Sequence, residues 1–324
     1  FPFDVWVSLD SITIFESAIK NAKYIENYWV WSSCAEKELH RLGYGHAKTV
    51  HGIVDETFFK KLDNNEKSIL RAKHGIDSDT FLTGFVFRNQ LRKSVPNLLE
   101  GYKKFREKVP ERKTALLLHT NYSEGWGIPK LITEYEIDEK EILTTYVCKK
   151  CGDYKVMPFH GQEIGCVYCG EAGGFSTTGV NQGVTEVQLN EVYNLMDVYC
   201  HPFTSGGQEI PIQEAKMTEL ITLVTNYSCG EECCEDGAYS LPLDWSEYRE
   251  HGTQFKKAST SPDSICDRLI EVLNMPEEAR AFWGEQARKW TLSKFSNSVV
   301  GGFIENFIDS QPLHDFDFID ACLL

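Results

Sequence analysis

The sequence predicts an α/β fold with enough apolar residues for two cores and a small metal-binding insertion. Three observations predict it. The stretch from Asp197 to Gly230 reads as an apolar strand, a loop with two glycines, a helix opening near Pro211, and a second apolar strand ending at a Cys-Gly turn. Upstream, FLTGFVFRNQLRKSVPNLLEGYKKF is an apolar strand from Phe81 to Phe87, a loop rich in Arg and Lys, then an amphipathic helix. Its Leu98, Leu99, Tyr102 and Phe105 fall at helical spacing on one face. Between these lie two Cys-x2-Cys pairs separated by 14 residues. With 324 residues, 42% of them hydrophobic, the chain can bury two cores.

The opening FPFDVWVSLDS reads as an apolar strand, and NAKYIENYWVWSSCAEKELHRLGY as a strand followed by a helix. The polar stretch LDNNEKSILRAKHGIDSD reads as the linker that closes a first domain at about residue 75. A nucleotide-binding domain is expected over 76–300, with the cysteine insertion at 145–172 between the strand TALLLHT and the helix QLNEVYNLMD. Residues 301–324 supply a last helix and an acidic-aromatic tail, DFDFIDACLL.

Strand, glycine loop, helix, strand is a unit that turns backbone N–H groups and a helix N-terminus toward a phosphate. Glu214 is expected on the first turn of that helix. A carboxylate repels phosphate, so its natural partner is a pair of hydroxyls such as a ribose. The same pattern fits an ordinary βαβ crossover whose glycines only make a tight turn. In the upstream loop, Arg88 suits a phosphate bidentately and Lys93 supplies a point charge; the plain alternative is a solvated basic loop capping a helix.

Cys148-Lys-Lys-Cys151-Gly and Cys166-Val-Tyr-Cys169-Gly each fold two thiolates toward one point, the Gly permitting the left-handed backbone that follows. Four thiolates so spaced are the ligand set of a structural zinc ribbon, closed to substrate. Paired disulfides or free thiols are the alternatives, and the remaining seven cysteines point to a reducing, cytoplasmic compartment that disfavours disulfides. Cys229, Cys233 and Cys234 cluster locally and read as part of a turn and acidic loop. The formal charge of −15 opposes binding to nucleic acid or anionic lipid. No apolar run approaches the ~20 residues of a membrane span, so any membrane contact would be peripheral.

At Gly206–Ala215 the sequence resembles the donor-site signature of the retaining glycosyltransferases of family 4, which have the GT-B fold of two Rossmann-like domains. Members carry a Glu, then Gly-Phe-Gly, an apolar residue, Pro, and a second Glu eight positions after the first, followed by Ala. Pro211, Glu214 and Ala215 match in register. The first Glu does not: Gly206 stands there, followed by Gly207, Gln208 and Glu209, so that Glu209 would have to serve from a shifted loop. Arg88 and Lys93 hold the positions of the family's diphosphate-binding Arg and Lys. HGIVDETFF, from His51 to Phe59, is similar to a family motif near the end of the first domain. Against the family, the chain begins on a mid-domain strand, and on the order of 100 further residues are expected before it. At the strand end where the family often has a His, Asp10 is the candidate acceptor-side residue; capping the next helix is its plainer role.

The resemblance implies transfer of a sugar, with retention, from a nucleotide diphosphate sugar to a glycan, lipid, protein or small-molecule acceptor. Arg88 and Lys93 would stabilise the leaving diphosphate, so no catalytic metal is expected. Glu214 would hold the ribose, and the Gly206–Gly207 backbone would approach the donor. Two other readings are a degenerate glycosyltransferase-like protein that binds nucleotide without transfer, and a scaffold whose zinc ribbon is the functional surface.

Overall fold

The structure, a computed structural model, describes residues 4–9, 14–179 and 181–312 of the 324. Its first unit contains strands β1 (Asp4–Val7), β2 (Asn27–Val30) and β3 (Lys48–Thr49), with helices α1 (Glu16–Ile19) and α2 (Ser33–Arg41). The strands form a parallel sheet in the order β1-β2-β3, with Val7 opposite Val30 and Val30 opposite Thr49. Ser32 caps α2 by accepting from the Ala35 N–H. Val30 and Leu39 centre a small core with Ile19, Ala22 and Ala35.

The stretch expected as a polar linker is instead helix α3 (Asn64–His74). Asp63 and Glu66 make a capping box at its start, and Gly75, at φ 75°, ends it in the left-handed conformation. It is docked on the larger unit: Arg71 donates to the Leu195 carbonyl at 2.7 Å and to Asp197 Oδ2 at 2.6 Å.

The larger unit runs through β4 (Phe81–Val86), α4 (Val95–Lys108), β5 (Thr114–His119), α5 (Ile128–Glu134) and β6 (Ile142–Cys148). After the insertion strands β7 (Tyr154–Pro158), β8 (Glu163–Ile164) and β9 (Phe175–Thr177) come α6 (Glu186–Leu195), β10 (Val198–His201) and α7 (Ile210–Met217). The chain continues through β11 (Ile221–Thr225), α8 (Cys229–Cys233), β12 (Ser240–Leu243), a hairpin of β13 (Trp245–Arg249) and β14 (Lys256–Thr260), and helices α9 (Pro262–Asn274), α10 (Glu277–Phe295) and α11 (Gly302–Ser310). Among the described residues, the main sheet has the order β12-β11-β10-β4-β5-β6-β9-β8, with β7 on the other side of β6. Its first six strands are parallel.

β6 belongs to two structures at once. Its first residues pair with β5 (Leu116 opposite Ile142), and its last pair antiparallel with β9 (Cys148 opposite Phe175). The cysteine insertion is thus an extension of the central sheet rather than a separate bead. Leu98, Leu99, Tyr102 and Phe105 are fully buried on α4 as their spacing predicts, and strands β4, β5 and β11 are buried along their whole length. The last helix crosses back to the first unit, where Phe303 and Phe307 pack edge-on against Trp29 of β2.

Candidate functional site

The order of the main sheet reverses between β10 and β4: the chain proceeds outward through β5 and β6 on one side, and through β11 and β12 on the other. Such a switch point leaves a crevice beyond the carboxyl ends of the two central strands, where ligands of open α/β sheets bind. The loop after β4 carries Arg88 and Lys93; the loop after β10 carries Gly206 to Glu209, and Glu214 follows on α7. Helix α7 opens at Ile210 with Pro211 in its first turn, so Glu214 stands on the second turn, deeper than expected.

Lys93 and Glu209 meet there. Both are buried, at 3% exposure each, and the ammonium bonds directly to Glu209 Oε2. The other carboxylate oxygen takes Arg92 Nη1, and His201 Nε2 lies 3.1 Å from Oε2. His201 is itself held by Tyr199, whose hydroxyl is 2.8 Å from Nδ1. Burial opposes charge on Glu209, but Lys93, His201 and Arg92 together outweigh it and hold the carboxyl well below its usual range. Burial and the neighbouring Lys93 push His201 down to about 4, so it is neutral at pH 7.

Gly206 is fixed by Ser228, whose hydroxyl accepts its N–H at 2.9 Å and donates to its carbonyl at 3.0 Å. Ser228 does this at φ 50°, ψ −126°, a region nearly exclusive to glycine. Gly207 lies against the first unit: a Cβ there would collide with Ser8 Oγ. Gln208 spans the units too, accepting from the Gly52 N–H at 2.7 Å and donating to the Gly52 carbonyl at 2.9 Å. A second tie joins His51 Nε2 to Glu232 Oε1 at 2.7 Å. The His-Gly segment therefore clamps the two units together, beside the loop after β10.

Glu214 accepts from the Tyr193 hydroxyl at 2.7 Å. Burial is the main influence on its carboxyl and raises it to about 7, although Tyr193 pulls the other way. Arg88 lies apart from the Lys93 cluster; it is exposed and pairs with Glu124 at 3.4 Å, on the loop after β5. Asn89 beside it is buried and ties that loop down, donating to the carbonyls of Asn121 and Trp126 and accepting from the Trp126 N–H at 3.0 Å. Gly125 must be glycine, because it sits at φ 65° and a Cβ would strike the Asn89 carbonyl. Asp10 lies outside the described residues.

The four sulfurs of Cys148, Cys151, Cys166 and Cys169 lie within 4.8 Å of one another. Cys148–Cys169 and Cys151–Cys166 are 3.7 and 3.8 Å apart. Tetrahedral ligands ~2.3 Å from zinc are ~3.8 Å from each other. The donor set therefore fits a four-coordinate metal. The N–H groups of Lys150 and Tyr168 point at Cys148 and Cys166 Sγ, at 3.4 Å each, as in metal knuckles. The other described cysteines do not join this group: Cys229 and Cys233 are buried on α8, a short helix where a turn and acidic loop were expected.

No protein-family model matches the chain, and no curated protein matches it. Solved structures do. Sucrose-phosphate synthase from Thermosynechococcus elongatus superposes with a TM-score of 0.63 at 14% identity, over 92% of this chain and 63% of that one. Anabaena Alr3699/HepE, solved in complex with UDP, gives 0.67 at 11% identity, over 96% of this chain and 72% of that one. WaaG, a glycosyltransferase involved in lipopolysaccharide biosynthesis, gives 0.56 at 15% identity, over 88% and 65%. The fold is GT-B. The chain spans less than two thirds of the length of sucrose-phosphate synthase and of WaaG.

Arg92, His201, Tyr193 and Ser228 were not singled out from the sequence. Arg92 had a signal, the Arg-Lys pair after Gln90-Leu91. His201 had a weaker one, a lone polar residue closing an apolar strand just before the glycine loop.

Proposed function

We propose that the chain transfers a sugar from a nucleotide diphosphate sugar to an acceptor, with retention of configuration. One observation carries the reading: buried Lys93 and Glu209, with the partly exposed Arg92, meet beside the Gly206–Gly207 loop at the carboxyl ends of β4 and β10, the sheet's switch point, and Glu214 follows on α7. That HepE was solved with UDP supports a nucleotide diphosphate in this crevice.

In this reading Lys93 and Arg88 stabilise the charge that grows on the departing diphosphate, with no catalytic metal needed. Glu214 accepts from the ribose hydroxyls. Glu209 holds the Lys93 ammonium and Arg92 in place before the donor arrives, and Gln208 keeps the first unit closed over the loop. Asp10 belongs to the acceptor side. Residues up to about 75 form that acceptor-side domain and 76–300 the donor domain. Cys148, Cys151, Cys166 and Cys169 would hold a structural zinc, which cross-links the ribbon and takes no part in transfer. The cysteines outside the ribbon favour a reducing compartment such as the cytoplasm.

A second reading has two specific supports. Gly206 stands where the resembled family has its sugar-contacting Glu, and Glu209 neutralises the cations that a diphosphate would use. A protein so built could bind nucleotide and transfer nothing. Incubation with UDP-glucose and other common donors decides between the two: sugar transfer or slow donor hydrolysis that Lys93→Ala abolishes supports the enzyme, whereas nucleotide binding without either supports the binding protein.

A further inference from the structure

We infer that the four-cysteine ribbon, with its metal in place, organises both walls of the nucleotide crevice, an inference that rests on the donor-site reading above. Ribbon and crevice are joined by two separate sets of contacts.

One set runs to α6. The backbone carbonyl of Gly152, the residue after Cys151, accepts from Gln188 Nε2 at 2.9 Å. Gln188 is the capping-box residue of α6: its Oε1 accepts from the Thr185 N–H at 3.0 Å, and its own N–H donates to Thr185 Oγ1 at 3.2 Å. One turn on, Glu191 accepts from the hydroxyl of Tyr154, on the strand leaving the knuckle, at 2.6 Å. The same helix carries Tyr193, which holds Glu214. The loop before α6 is also tied in, since Gln182 donates to the Val147 carbonyl at 2.7 Å.

The other set runs to the loop after β5. Tyr146, two residues before Cys148, fixes the stretch after β7 by donating to the Gly161 carbonyl at 2.6 Å and accepting from the His160 N–H at 2.9 Å. From that stretch Gln162 donates to Asn121 Oδ1 at 3.3 Å, and Phe159 stacks on Tyr122 with centroids 4.4 Å apart. Asn121 and Tyr122 open the loop whose Glu124 pairs with Arg88 and whose carbonyls cage Asn89.

Among the described residues, the ribbon's own apolar cluster has Tyr146, Cys148, Cys166 and Phe175 as its buried members, with Met157, Phe159 and Ile164 partly buried against them. β6 and β7 are anchored in the main core through Val147, Tyr154 and Val156, but a cluster that small does not order the two cysteine turns with β8 and β9 without a cross-link. Loss of the metal therefore frees the Gly152 carbonyl and the 159–162 stretch. The anchors of Gln188 and Asn121 go with them, and the two walls loosen although no ribbon atom need touch the ligand.

The test compares the full chain loaded with Zn(II) and the same chain after chelation, by amide hydrogen exchange and by titration with UDP. Gln188→Glu is the second probe. It keeps the acceptor that caps α6 but has no donor for Gly152, so the helix start survives and the tie does not. Zinc removal is expected to raise exchange in residues 121–127 and 185–190 as well as in the ribbon, and to weaken UDP binding by about tenfold or more. Gln188→Glu is expected to keep its zinc and to weaken UDP by about threefold to tenfold, the worth of one hydrogen bond. Exchange changes confined to residues 148–175, with UDP affinity unmoved, would overturn the inference, as would a chain that takes up no zinc. If zinc-loaded protein binds no nucleotide, the donor-site reading fails, and the exchange pattern alone still decides whether the ribbon orders the walls.

Discussion

Glu209→Gln separates two effects that the site combines. In the protein without donor, Glu209 is the counter-charge of a Lys93 side chain that is 4% exposed. Removing one partner of a buried ion pair costs about 3–5 kcal/mol. Arg92 adds little to that loss, because its side chain is 36% exposed and can turn to water. At about 2–4 °C per kcal/mol for a unit of this size, the variant should melt roughly 10 °C lower. The same change frees two cations for a diphosphate and removes a negative charge near it. At about 6 Å and an effective dielectric of ~20, that charge is worth about 2–3 kcal/mol, so UDP should bind the variant at least ~10-fold tighter. Calorimetric melts with and without UDP measure both effects: the variant starts lower and gains more from UDP than wild type does. Equal melting temperatures without UDP, or equal gains with it, would refute the reasoning that Glu209 holds the place of the donor's charge.

Lys93→Ala should lower turnover more than donor affinity, because its charge matters most as the bond to the diphosphate breaks; equal kcat in variant and wild type would remove Lys93 from the mechanism. Glu214, raised to about 7 by burial, binds its proton more tightly folded than unfolded. It therefore contributes stability below pH ~4.5 that is lost as pH rises through about 7, on the order of 3 kcal/mol, and Glu214→Gln should flatten the fall in stability between pH 5 and 7 seen by urea melts. Gln208→Ala removes two hydrogen bonds to the Gly52 backbone, which should cost about 1–3 kcal/mol and raise hydrogen exchange at residues 51–54; unchanged exchange there would show that the His51–Glu232 pair alone closes the units.

Features set by local pattern were readable in the chain. The buried face of α4, the strand–loop–helix at β10 and α7, and the four sulfurs of the ribbon each follow from spacing within a few residues. Features set by pairing across the fold were not. Glu209 reads as a replacement for a sugar-contacting Glu, yet its carboxylate is spoken for by Lys93 and Arg92, which lie more than 100 residues away. The helix α3 was missed because its polar composition outweighed a capping box that stood in the open as Asp63 and Glu66. Glycines marked the loop after β10, but only the geometry reveals that Gly207 is small for the sake of Ser8.

The most direct test of the central claim is a calorimetric titration of zinc-loaded protein with UDP, GDP, ADP and CMP, repeated on Glu214→Ala. The account predicts that one nucleoside diphosphate binds at a single site and that the variant binds it markedly more weakly, because the ribose loses its acceptor. Absence of binding by every nucleotide, or equal binding by wild type and Glu214→Ala, would contradict a donor site in this crevice.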